Sequence, residues 1–121
     1  YTYFWRATPH PALAVFDAPD AFSACTRRLR SNTPLQALTL LNDVAFHELA
    51  GRLAERLQRE APANARLDLA FQLCLARPPR DSERQRLETL LRDETQAHGE
   101  AAAWQTVARV LLNLDETITR E

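Results

Sequence analysis

From residue 44 to 60 the apolar positions Phe46, Leu49, Ala50, Leu53 and Leu57 recur at steps of three and four. That spacing predicts an amphipathic helix with one buried face. The other face offers Glu48–Arg52 and Glu55–Arg59, each four apart with the acid first, the favourable order for surface ion pairs. Upstream, Thr33-Pro34-Leu35-Gln36 reads as a capping box with proline at the first helical position. That helix is short, because Asn42-Asp43 interrupts it and offers a fresh N-cap. Residues 67–75 carry two patterns at once. Leu67, Leu69, Phe71, Leu73 and Leu75 alternate as in a half-buried strand, while Leu67, Ala70, Phe71 and Cys74 fit a helix. Richness in Ala and Leu, a cap at Asn64 and the Pro78-Pro79 stop favour a helix over 64–76. Asp81 or Ser82 opens another, over 82–98, with Leu87, Leu90 and Leu91 inward and Gly99 as the stop. A last helix over 101–118 carries Trp104, Val107, Leu111, Leu114 and Ile118 as a bundle-facing stripe. The pattern predicts an all-α fold, an up-and-down bundle of about four to five helices.

Residues 1–33 read differently from residues 34–121. Tyr1, Tyr3, Phe4 and Trp5 are followed by Pro9-His10-Pro11, Phe16, Pro19 and Phe22. Prolines this frequent exclude a long helix, since each removes a donor and clashes with the preceding turn. A helical turn at 2–7 and then an extended, irregular arm are expected. The arm (1–33) and the bundle (34–121) together read as one domain fragment. The chain does not begin with Met and reads as a cut piece. Some of Tyr1, Tyr3, Phe4 and Trp5 are therefore expected to form an exposed apolar patch.

Composition agrees with helices: Ala and Leu fill 39 positions, Val and Ile five. Two glycines in 121 residues argue against a Gly-rich phosphate loop. The net charge of −1 leaves no global footprint for nucleic acid. Residues 42–121 hold 11 Arg against 14 acids, which would repel phosphates. All fifteen cations are Arg, and no apolar run approaches the ~18 residues of a membrane span.

Catalytic motifs are missing. His10, His47 and His98 fall in different elements, and His47-Glu48 lacks the second histidine of a zinc-helix motif. No cofactor or metal set is read. Cys25 and Cys74 lack Cys-x-x-Cys spacing and are expected to be two unrelated, unbridged, buried thiols. One segment stands out: Asp17-Ala-Pro-Asp20, then Arg27, Arg28, Arg30 and Asn32 ahead of the Thr33 cap. Guanidinium forks beside a helix start favour an anionic ligand. Alternatively, the same arginines pair with Asp17, Asp20 and Asp43 and lock the arm onto the bundle. Both readings stand at this point.

The runs Phe16-Asp-Ala-Pro19, Cys25 through Leu38 (CTRRLRSNTPLQAL) and Leu40-Leu-Asn-Asp43 resemble the planctomycete-specific PSD family of unknown function, and Val110 through Thr119 (VLLNLDETIT) looks like its C-terminal signature. The likeness runs from Tyr1 to Glu121 and covers only the C-terminal half of the family domain. The family often has Pro where Val44 stands and Thr where Arg80 stands, which makes both helix starts weaker here. Cys25 matches the family and Cys74 does not. The resemblance implies an exported or periplasmic bacterial protein with cytochrome-c-like modules, and no reaction is implied for this domain. The expected role is a non-catalytic packing or interaction module without a cofactor of its own. Its expected partners are the missing N-terminal half of the family domain or a neighbouring module. The alternative is a site for an anionic ligand or glycan, or part of a split active site, on Asp17–Thr33, built from Arg27, Arg28, Arg30 and Asn32. Neither nucleic acid nor a membrane span is expected.

Overall fold

The computed structural model describes residues 7–20, 22–27 and 31–119, and among these every regular element is helical. In chain order they are α1 (Pro11–Val15), α2 (Pro34–Asn42), α3 (Val44–Glu60), a 3-10 turn (Ala63–Ala65), α4 (Arg66–Leu75), α5 (Asp81–His98), α6 (Glu100–Leu112) and α7 (Asp115–Ile118). The all-α small bundle expected from the pattern is the observed architecture.

Local chemistry sets the ends. Thr33 Oγ1 accepts from the Gln36 N–H at 3.3 Å and Gln36 Oε1 accepts from the Thr33 N–H at 3.1 Å, completing the capping box of α2. Asp43 ends α2 and starts α3, its Oδ1 accepting from the Ala45 N–H at 2.8 Å. At α5, Glu83 reaches back to the Arg80 N–H at 2.7 Å, so a cap exists despite arginine at that position. Gly99, at φ 88, turns the chain from α5 into α6, a conformation that favours glycine.

The alternation in 67–75 resolves as a helix. Leu67, Ala70, Phe71 and Leu75 are buried on one face, and Leu73 is 36% exposed on the other. As a helix the segment bonds its backbone groups internally and needs no partner strand. Asn64 does not cap this helix; it lies within the 3-10 turn, and Ala65 holds the N-cap position without a side-chain bond.

The core gathers around α6. Ala103, Trp104, Val107, Ala108 and Leu111 are all buried, facing Ala50, Ala54 and Leu57 of α3 and Leu67, Ala70, Phe71 and Leu75 of α4. Alanines on both α3 and α6 let the two axes approach closely. Leu87 brings α5 onto the other side of α6.

Further expectations need correction. The final helix is not continuous over 101–118. Asn113 closes α6, Leu114 is extended at ψ 141, and the acidic Asp115-Glu116 pair starts α7, where negative charge suits a helix N-terminus. The arm is not wholly extended either: Pro11 suits a first helical position, and α1 forms behind it with His10 Nδ1 accepting from the Ala12 N–H. On α3 the expected Glu48–Arg52 and Glu55–Arg59 pairs give way to Arg52–Glu55 and Arg56–Glu60, each at 3.0 Å. Exposed partners three and four apart differ by only a few tenths of a kcal/mol, so spacing alone does not choose between them. Both cysteines are unbridged as expected, but Cys25 is exposed rather than buried. The helical turn at 2–7 and the aromatic patch at Tyr1, Tyr3, Phe4 and Trp5 lie outside the described residues, apart from Ala7, which sits in a turn.

Candidate functional site

The Arg-rich segment was the strongest candidate in the sequence, and hydrogen bonds rather than apolar packing shape it. Asp17 follows α1 with a left-handed φ of 55, which lets the Ala18 N–H reach the Leu13 carbonyl at 2.9 Å and close that helix. Asp17 Oδ2 then accepts from the Ser31 N–H at 2.8 Å and the Ser31 hydroxyl at 2.6 Å. Gln36, 1% exposed, donates from Nε2 to Ser31 Oγ and to the Val15 carbonyl, both at 2.9 Å. One buried amide thus ties α1, the segment before α2, and α2 itself.

A shallow cleft of about 430 Å³ opens beside this clasp, lined among others by Asp17, Asp20, Ser23, Cys25, Thr26 and Arg27. Arg27 is exposed and makes no ion pair among the described residues. Asn32 is exposed one residue ahead of the Thr33 cap. Arg28 and Arg30 lie outside the described residues. Asp20 is not committed to an arginine there: it accepts from the Phe22 and Ser23 N–H groups, and these backbone bonds hold its carboxyl below the usual range. Asp43 is likewise engaged with the backbone at the α3 cap. His10, His47 and His98 remain apart: His10 caps α1, His47 meets Gln105 Nε2 at 3.0 Å, and His98 ends α5. Among the described residues no group of three or more His, Cys, Asp or Glu is placed to hold a metal.

A second concavity was not singled out by the sequence. Phe46, Leu49, Leu53 and Arg56 of α3 form one wall of an apolar groove of about 640 Å³; Phe16, Leu40 of α2, Leu73 and Cys74 of α4, Leu112 of α6, and Thr117 and Ile118 of α7 form the rest. Leu49 is 55% exposed along its edge. Burial pushes the Cys74 thiol pKa up, so this thiol stays protonated and unreactive at neutral pH. The signal was present in the width of the α3 stripe. Ala50, Ala54 and Leu57 satisfy α6, and Phe46, Leu49 and Leu53 extend the apolar arc beyond what α6 covers.

The α7 wall is pinned by one guanidinium. Arg77 gives Nε and Nη2 to Glu116 at 2.9 and 2.7 Å, and Nη1 and Nη2 to Glu83, both at 2.9 Å. Its remaining N–H reaches the Pro78 carbonyl at 3.1 Å, so all five donors are used. The group lies 5.5 Å above the Phe71 ring. Arg77 in turn holds the Glu83 carboxyl down to about 2, aided by the Arg80 N–H, and lowers Glu116 as well.

No described helix is long and apolar enough to cross a membrane. The family model PSD1, a protein of unknown function (DUF1553), matches residues 1–91. The tail at 110–119 falls outside that match. No curated protein and no solved structure matches the chain. The match spans well over half of the sequence, and the chain belongs to the DUF1553 family.

Proposed function

We propose that this DUF1553 member is a non-catalytic helical module that packs against another part of a larger polypeptide. The observation that carries this reading is α2. Residues 31–42 contain no charge, and α2 buries Gln36 but leaves Leu35 and Leu38 58% and 55% exposed. A helix with no charged side chain and two leucines turned outward is suited to being covered on that face. The separation of the three histidines into unconnected elements supports the absence of turnover. The experiment is to replace Leu35 and Leu38 together with Gln in the purified chain. Binding of an apolar-surface dye is expected to fall while the melting temperature stays within about 2 °C. Unchanged dye binding, or a large drop in melting temperature, overturns the reading.

The family resemblance further supports an exported or periplasmic setting in a planctomycete-type protein that carries cytochrome-c-like modules. An alkaline phosphatase fusion to the full-length protein checks it: activity is expected, and a silent fusion removes the proposal. The alternative, an anionic-ligand or glycan site on Asp17–Thr33, is favoured by Arg27, exposed on the cleft with no ion pair among the described residues. Asp20 on the same cleft opposes it. Titration with inorganic sulfate tests it: resonance shifts at residues 23–27 are expected, and their absence sinks it.

A further inference from the structure

We infer that the groove between α3 and α4–α7 receives an amphipathic α-helix from the partner, with apolar anchors on one stripe and a carboxylate that pairs with Arg56. The inference rests on the docking reading above but concerns a different surface, since Leu35 and Leu38 lie on the face of α2 away from groove-lining Leu40.

Three features select a helix. First, the walls are helices whose backbone groups are bonded internally, so the groove offers side chains and no free strand edge. An extended segment laid there would bury N–H and C=O groups without partners, whereas a helix brings its own. Second, the wall from Phe46 to Arg56 covers eleven residues of α3, a rise of roughly 15 Å, which matches three turns of a facing helix. Third, the rims are open. Leu49 is 55% and Leu73 36% exposed, apolar edges that a docked helix would cover.

Charge selects the acid. Arg56 is the charged residue on the lining, and its Nε bonds Glu60 Oε1 and Oε2 at 3.1 and 3.0 Å. Its two terminal nitrogens make no bond among the described residues. The same chain shows what a guanidinium does with that spare edge: Arg77 holds Glu83 by one side and Glu116 by the other. A partner carboxylate at Arg56 repeats the arrangement. The exposed apolar face of α2 on a second copy does not supply it, because residues 31–42 carry no acid.

The test uses a stapled, Ala-based peptide with Leu at i, i+4 and i+7 and Glu at i+11, titrated into the purified chain by fluorescence anisotropy. Saturable binding is expected, weakened at least tenfold by Arg56→Glu and abolished by Leu49→Glu, with melting temperatures preserved because both sites are exposed. A peptide with Lys in place of Glu is expected to bind Arg56→Glu within about threefold of the original pair. No binding, binding indifferent to both substitutions, failure of the charge swap, or tighter binding by dodecanoate each overturns the inference. The Leu35→Gln/Leu38→Gln dye result is independent of all four. Loss of peptide binding with a positive dye result therefore removes the groove partner and leaves the packing module standing.

Discussion

Among the described residues, the molecule holds its two ends by different means. Every buried apolar side chain lies between Ala50 and Leu111, whereas the part before Ala50 buries one side chain, and that one is an amide. The later region is held by contact among Phe71, Trp104, Leu57, Leu111 and their alanine neighbours. The earlier region is held by a relay in which Gln36, Ser31 and Asp17 satisfy one another and the backbone. Apolar burial contributes about 1.5–3 kcal/mol per large side chain, but a satisfied hydrogen bond nets only about 1. The earlier region is therefore positioned with specificity yet depends on the later one for its stability.

That contrast breaks most visibly at Phe71. Replacement with Ala removes a ring that is 1% exposed, and is expected to lower stability by about 3–5 kcal/mol in a urea titration. Protection of α1 and α2 amides should fall with it. If α2 stays protected while α4 and α6 melt, the dependence runs the other way. A smaller and more local effect is expected from Gln36→Leu, which strands the Val15 carbonyl and the Thr33 N–H at a cost of about 1–3 kcal/mol. Hydrogen exchange should quicken across α1 and α2 and hold steady from Leu67 to Leu111. Uniform quickening instead would mean the two regions open as one unit.

The mildest effect belongs to Arg77→Met. Glu83 titrates at about 2 in the folded chain against 4.5 unfolded, and Glu116 is lowered too. The folded state prefers both carboxylates ionised. Their contribution is thus full above about pH 5 and declines as pH falls through 4.5 toward 2. Melting temperature is expected to drop over that window in the parent chain and more gently in Arg77→Met. Equal slopes would show that this ion-pair cluster contributes no pH dependence.

Legibility in the sequence follows the same divide. Where a signal is local and has a single solution, it was readable: the Thr33–Gln36 box, the Asp43 cap, the Gly99 stop and the stripe through Trp104 and Val107 all stand in the structure. The break at Asn113-Leu114 was hidden because Leu111, Leu114 and Ile118 keep helical spacing across it. The ion pairs of α3 were misassigned because an arginine on a helix reaches several acids equally well. Arg77 meets Glu116 across 39 residues, and no spacing rule encodes that meeting. Of the candidate site, Arg27 and Asn32 are exposed, and Asp20 bonds the backbone and a serine rather than a described arginine, a local turn that spacing did not announce. The groove needed three dimensions, since its walls come from five helices.

The central place of α6 has a consequence for the order in which the chain is made. In the last turn of α2 the Leu41 carbonyl accepts from the Arg109 side chain at 2.8 Å, 68 positions later in the chain. At about 5–20 residues per second, α2 and the apolar arc of α3 wait several seconds for the helix that completes them. During that interval Ala50, Ala54 and Leu57 lack the α6 side chains they pack against. Synthesis thus makes the apolar arc of α3 before the helix that covers it, and the nascent chain carries that arc uncovered until α6 emerges.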